Sequence, residues 1–408
     1  MINLETPKKF RGFVNQAHQV AAEMLRPNSR RYDLAEHDYP KELDMLAAMV
    51  DGIGAAGAGR GAGAAGVRRA EADDDANGDG GKVRNGSNMS SVLSIMEMCW
   101  GDVGLLLSMP RQGLGNSAIA SVADEHQLEK FAGVWAGMAI TEPGCGSDSA
   151  SITTTASLDG DEYVINGEKI FVTAGGRADA IVVWATLDKS RGRAAIKSFV
   201  VPKDTPGLTV ERLDHKLGIR SSDTATIRFE DCRVPKDNLL GNPDIDTGKG
   251  FAGVMQTFDN TRPLVAAMAV GCARAALEVT RDLLAEAGVE VDYDRPAHRQ
   301  YSAAATLLAM EADWEAAYLL TLQAAWMADN GKPNSLQASM AKAKAGRVGN
   351  DITLRCVELT GSLGYSEHEL LEKWARDSKI LDIFEGTQQI QQLIVARRLL
   401  NKTSAELK

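Results

Sequence analysis

The sequence predicts a multi-domain α and β chain built in the order helical, β, helical. Three observations carry this: apolar residues at helical spacing near the N-terminus, short β-rich runs with turn signals in the middle, and long breaker-poor runs of Ala, Leu, Met, Glu and Lys after residue 250. At 408 residues the chain exceeds one ordinary core, and 44% hydrophobic residues supply material for more than one. The domains are placed at 1–135, 136–247 and 248–408.

In the first part, Phe10, Phe13, Val14, Ala17, Val20 and Ala21 share one helical face, and the periodicity resumes from Met89 to Leu107. Between them, about residues 51–88, a Gly/Ala run gives way to Asp, Gly, Asn, Lys and Arg. So little apolar side chain cannot offset the ordering entropy, which predicts a flexible insertion. Its glycines lack the Gly-Lys-Ser/Thr ending of a phosphate loop. Asp73, Asp75, Asn77 and Gly78 imitate an EF-hand start, but Arg84 stands where a bidentate Glu is needed.

The middle part opens with residues 156–172, where Asp159-Gly160 and Asn166-Gly167 read as turns around Tyr163-Val164-Ile165. Further β-rich runs at 180–186, 198–201, 208–213 and 225–229 complete an antiparallel β domain. The last third reads as a bundle of long helices, with Pro263 beginning or kinking the first.

A formal net charge of −10, with no Lys/Arg run interleaved with aromatics, excludes a general nucleic-acid or membrane-surface binder. Cys99, Cys145, Cys232, Cys272 and Cys356 are widely spaced and form no CxxC, as expected of reduced thiols. The N-terminus has no apolar signal region, and the apolar stretch 263–273 is too short for a span, so a cytoplasmic protein is expected. No metal-ligand spacing stands out.

Three segments carry chemistry. In Ile383-Phe384-Glu385-Gly386-Thr387-Gln388-Gln389-Ile390-Gln391, a carboxylate precedes a helix that Thr387 can cap. Gly386 allows close approach to the main chain, and free N–H groups of the first turn can hold a developing oxyanion. The second segment, Ile140-Thr141-Glu142-Pro143-Gly144-Cys145-Gly146-Ser147-Asp148, is a loop rich in N–H and O–H donors. The third, Leu217 to Thr224, is a donor-rich loop before a strand.

In this order and at these positions the three segments resemble the acyl-CoA dehydrogenase family, over about residues 91–400. The resemblance implies an N-terminal α-helical domain, a middle antiparallel β domain and a C-terminal four-helix bundle, with FAD as cofactor. It implies Glu385 as catalytic base and the Gly386 amide as the donor to the thioester oxygen. Some relatives carry the base at the position of Thr261, a residue that cannot serve, which leaves Glu385 unopposed. Met138, Ile140, Thr141, Gly146 and Ser147, with Phe171, Val172 and Thr173, match the flavin-lining segments. Thr387 and Gln389 match residues reaching the FAD of a neighbouring subunit, and Ser147, Asp259 and Arg262 match contacts to CoA and pantetheine. The implied reaction is α,β-dehydrogenation of an acyl-CoA to a trans-2-enoyl-CoA in fatty-acid or lipid β-oxidation, with the β-hydride passing to flavin N5 and electrons to an electron-transfer flavoprotein.

Two departures stand out. The family's Arg-x-x-Phe-Gly is replaced by Ala287 to Asp294, and Glu358 replaces a Gln near the expected pyrophosphate, with Gln300 as a stand-in for another family glutamine. They fit either a homo-oligomer with a variant FAD site or a heterotetramer in which a sister subunit supplies the missing Arg. The alternatives are an acyl-CoA oxidase and a non-catalytic or FAD-sharing subunit of such a heteromer. The Met and Leu stripe from Ile95 to Met109 reads as core more readily than as acyl pocket, and acyl length stays open.

Overall fold

The computed structural model describes residues 6–48, 86–111, 113–245, 252–403 and 406, and for 252–260 the backbone alone. Most of the predicted insertion lies outside the described residues. Helix α1 (Lys8–Val20) continues through a π-helical stretch, Ala21–Leu25, into α2 (Arg26–Leu34). Leu25 and Tyr32 pack there with Leu43, Met98, Leu105 and Met109, so the Met and Leu stripe is core.

Helix α3 (Ser87–Gly101) starts two residues before Met89, where the periodicity resumes. The reason is a cap from far along the chain: the Asp329 carboxylate accepts from Asn88 N and Met89 N, both at 2.9 Å. Helix α4 (Val103–Leu107) is capped by Asp102, and α5 (Leu114–Val122) and α6 (Glu125–Lys130) lead to the sheet.

The sheet has seven strands: β1 (Ala136–Ala139), β2 (Thr155–Asp159), β3 (Glu162–Thr173), β4 (Ala180–Thr186), β5 (Ile196–Pro202), β6 (Leu208–Leu213) and β7 (Thr224–Pro235). The order is β1-β4-β2-β3-β7-β6, with β5 also on β4. Ile181, Val183 and Ala185 of β4 enter one core while Ala180, Val182 and Trp184 enter another, so this strand is covered on both faces.

Two expectations are corrected. The domain is not wholly antiparallel, since β1 runs parallel to β4 and β2 meets β4 in parallel at Thr155 and Thr186. The β2–β3 hairpin intervenes between β1 and β4, and that excursion lets the chain return in the same direction. Asp159-Gly160 makes the hairpin turn, but Asn166-Gly167 is a bulge inside β3, where the register shifts between Ile165 and Gly167. Gly167 has φ 151°, and a Cβ there would lie 2.4 Å from Thr154 Oγ1, so the glycine serves a close approach rather than a turn.

The C-terminal domain comprises α7 (Ala252–Glu286), α8 (Ser302–Asp329), α9 (Ser335–Thr360), the short α10 (Ser362–Tyr365), α11 (Leu371–Leu381) and α12 (Gln388–Leu400). Pro263 sits inside α7, not at its start. The expectation of no span-length apolar segment is also corrected: Thr261–Glu286 is long and apolar enough, but 72% of its apolar window is buried inside the molecule, as in a core helix. The domains meet at a buried network in which Lys373 pairs with Asp102 and Asp377. Asp377 Oδ1 also accepts from Ile219 N at 2.5 Å, fastening the 217–224 loop to the bundle.

Candidate active site

Between α11 and α12 the chain makes a short strap, Ile383 to Thr387. Thr387 caps α12 through its Oγ1, which accepts from Ile390 N at 3.4 Å. Glu385 and Gly386 both have positive φ, 57° and 90°. Glutamate rarely adopts this conformation, so surrounding contacts must hold it. Gln391, fully buried, supplies two of them: its Nε2 donates to Glu385 O at 3.0 Å and to Gly386 O at 3.2 Å. Lys342 of α9 supplies another, Nζ to Gly386 O at 2.7 Å. The N–H groups of Glu385 and Gly386 donate to no acceptor among the described residues.

The Glu385 carboxylate is half-buried, and its Oε2 accepts from Thr261 Oγ1 at 2.7 Å. Thr261, at the position that cannot be the base, therefore orients the Glu385 carboxylate. Burial raises the Glu385 pKa above the ordinary carboxylate value, opposed by the Thr261 hydrogen bond and by the Arg262 and Lys342 charges. Arg262 is buried, with Nη1 at 3.5 Å from Ser339 Oγ. The side chain of Asp259 lies outside what is described.

The second set of predicted residues gathers at the ends of β1 and β3. Thr141 O accepts from Ile170 N at 2.9 Å, joining the two ends. Beneath them Glu142 is buried and accepts from Thr153 N at 2.6 Å, Thr154 N at 2.9 Å and both threonine hydroxyls. Lys169, fully buried, pairs with it at 2.8 Å and also reaches Ile140 O. The lysine charge with these hydrogen bonds outweighs burial and pulls the Glu142 pKa down to about 2. Glu142 is thus a fixed anchor for the 140–148 loop rather than a titrating acid.

Above this anchor, Phe171 has φ 59° and a ring 63% exposed, while Met138 and Ile140 are half-buried. Gly146 and Ser147 are exposed. The side-chain hydroxyls of Thr141, Ser147 and Thr173 make no hydrogen bond among the described residues. Val172 is fully buried, so it offers this edge main chain only. Thr387 and Gln389 lie on the first turn of α12, with Gln389 exposed.

These features match a known arrangement. Residues 137–232 match the family model described as acyl-CoA dehydrogenase, middle domain, and residues 248–400 the one described as its C-terminal domain. The chain is 34% identical to the short-chain specific acyl-CoA dehydrogenase of Clostridium acetobutylicum, over 79% of this chain and 84% of that one. The chain belongs to the acyl-CoA dehydrogenase family. It is 40% identical to the mitochondrial short-chain specific acyl-CoA dehydrogenase of Rattus norvegicus, over 64% of this chain and 62% of that relative's length. It also superposes on the butyryl-CoA dehydrogenase of Megasphaera elsdenii with a TM-score of 0.78 at 30% identity, covering 98% of this chain and all of that one.

Within this family member, the departures have local explanations. Glu358 is exposed and paired with Arg355 one turn away, which offsets its charge. Gln300 clasps its own loop: it accepts from Asp292 N at 2.9 Å and donates to Asp292 O and Arg295 O, both at 2.8 Å. That amide is committed within the chain, against its reading as a stand-in ligand.

Sequence reasoning missed Lys342, Gln391 and the Glu142–Lys169 anchor. In Ala341-Lys342-Ala343-Lys344-Ala345 the two lysines look alike, yet Lys344 is only half-buried and pairs with Asp313. The available signal was spacing: Lys342 falls four residues after Ala338 and three before Ala345, inside the buried small-residue stripe of α9.

Proposed function

We propose that this protein dehydrogenates the α,β bond of a short acyl-CoA, giving the trans-2-enoyl-CoA, with Glu385 as the base for the α-proton. The observation that carries this is the half-buried Glu385, hydrogen-bonded to Thr261 and followed by a main chain with free N–H groups. A thioester α-proton is too weakly acidic for a carboxylate in water, so abstraction needs a desolvated base and donors on the carbonyl oxygen. Thr261 aims the carboxylate, and the N–H groups at Glu385 and Gly386 face the developing oxyanion. The short-chain class rests on the names of the relatives.

The residues present fit FAD. Phe171 offers an aromatic surface beside the unpartnered hydroxyls of Thr141, Ser147 and Thr173, and a Cβ added at Gly144 or Gly146 would meet nothing within 4 Å. When bound, FAD supplies the acceptor for the β-hydrogen. Arg262 is the cation for the CoA portion, and an electron-transfer flavoprotein the acceptor for the electrons.

The visible spectrum of the chain expressed alone, before and after anaerobic addition of acyl-CoAs of graded length, tests this reading. Stoichiometric flavin that bleaches with short thioesters supports it and disfavours a sister subunit. A protein that binds flavin and is bleached by none overturns it, and hydrogen peroxide formed in air at the rate of turnover would make it an oxidase.

A further inference from the structure

Lys342 is an unusual residue to find in the centre of this bundle. Its side chain is fully buried in α9 among Ala338, Ala341 and Ala345, and its ammonium has one hydrogen-bond acceptor, the neutral carbonyl of Gly386 at 2.7 Å. A buried ammonium without a bonded carboxylate is costly, so stability does not explain it. At Gly346, one turn on, a Cβ would lie 2.8 Å from Leu381 O, so α9 is pressed against the end of α11, just before the strap.

We propose that Lys342 is a positioning residue for proton abstraction: it clamps the Gly386 carbonyl, keeps the Glu385–Gly386 turn left-handed, and places a positive charge that eases ionisation of Glu385. This rests on the reading of Glu385 as the base. The clamp is geometrically suited to the task. Lys342 and Gln391 donate to the same carbonyl oxygen, and Gln391 also holds Glu385 O, so the Glu385–Gly386 and Gly386–Thr387 peptide planes, the two that follow the base, are fixed. Because a main-chain amide plane is rigid, holding Glu385 O aims the Gly386 N–H, and holding Gly386 O aims the Thr387 N–H and sets the ψ of Gly386.

The charged groups around the ammonium come from every packed element. Arg262 of α7 opposes its charge, while Glu385 of the strap and Asp382 at the end of α11 favour it. Asp382 itself lies 3.7 Å from Arg347 and 3.9 Å from Lys379, so its charge is shared. Burial wins and pushes the Lys342 pKa down to about 8. Raising the pH through that value removes a positive charge beside the base.

The test is the pH dependence of anaerobic flavin reduction in the flavin-loaded wild type, K342M and K342R, with amide hydrogen exchange of residues 383–391 in each. In K342M the maximal rate should fall about 10- to 100-fold at near-constant KM, the scale set by small misplacement of a reacting group. Its acid limb should move to higher pH, because the charge that favours ionised Glu385 is gone, and exchange in the strap should quicken. K342R should restore the acid limb and lose the basic limb, since guanidinium does not titrate in that range. A folded K342M with an unshifted acid limb and unchanged exchange overturns the proposal. Should K342M fail to load flavin, K342R decides: a basic limb that stays near pH 8 overturns the proposal, and one that vanishes supports it. E385Q separates the two readings, since normal reduction in E385Q removes the base itself, whereas an inert E385Q beside an unaltered K342M removes only the role of Lys342.

Discussion

Ionising Glu385 in its half-buried position replaces water with one threonine hydroxyl and two nearby cations, and burial outweighs them, so its pKa is raised. On the proposed role, the ionised form of Glu385 needed for abstraction accumulates only as pH rises through that raised value, and the acid limb of flavin reduction should reflect it. T261V removes the donor that favours the ionised form. A hydrogen bond of about 1 kcal/mol translates into a roughly fivefold loss of rate at neutral pH, recovered at higher pH as the acid limb moves up. Stability has the opposite sign. A carboxyl group with a raised folded-state pKa contributes stability at pH values below its unfolded pKa and loses it as pH rises through the folded value. The thermal midpoint of E385Q should therefore gain on that of the wild type between pH 4.5 and pH 8, and a gap that shrinks over this window would contradict the burial of the base.

At the scale of elements, long-range capping decides where segments begin. Helix α3 owes its first turn to Asp329 at the end of α8, and D329A should lower stability by about 0.5–2 kcal/mol, seen as a lower denaturant midpoint at unchanged m. Local signals were legible where the partner is nearby. The Thr387 cap, the Asp159-Gly160 turn and the helical runs are written within a few residues of where they act. Asn166-Gly167 was not legible, because only the approach of Thr154 distinguishes a bulge glycine from a turn glycine. Lys342 escaped for a related reason: its burial follows from which face of α9 meets the strap, a tertiary fact that Lys344 beside it does not share. The π-helical stretch at Ala21–Leu25 leaves no pattern distinct from an α-helix.

In the whole molecule, the helical, β, helical order and the two groups of candidate site residues emerge from segments that are far apart in the chain. Their alignment depends on the buried Asp102–Lys373–Asp377 network, which ties α4, α11 and the 217–224 loop together. Removing the cation leaves two buried carboxylates facing each other, so K373M should destabilise the fold by about 3–5 kcal/mol, measured by chemical unfolding. Thr387 and the exposed Gln389 lie at the start of α12. The anaerobic absorbance of flavin-loaded wild type and E385Q on mixing with butyryl-CoA tests the proposed role of Glu385. The wild type should bleach rapidly, and E385Q should be reduced about 10²- to 10⁴-fold more slowly with acyl-CoA binding retained. Equal rates in the two proteins would contradict that role.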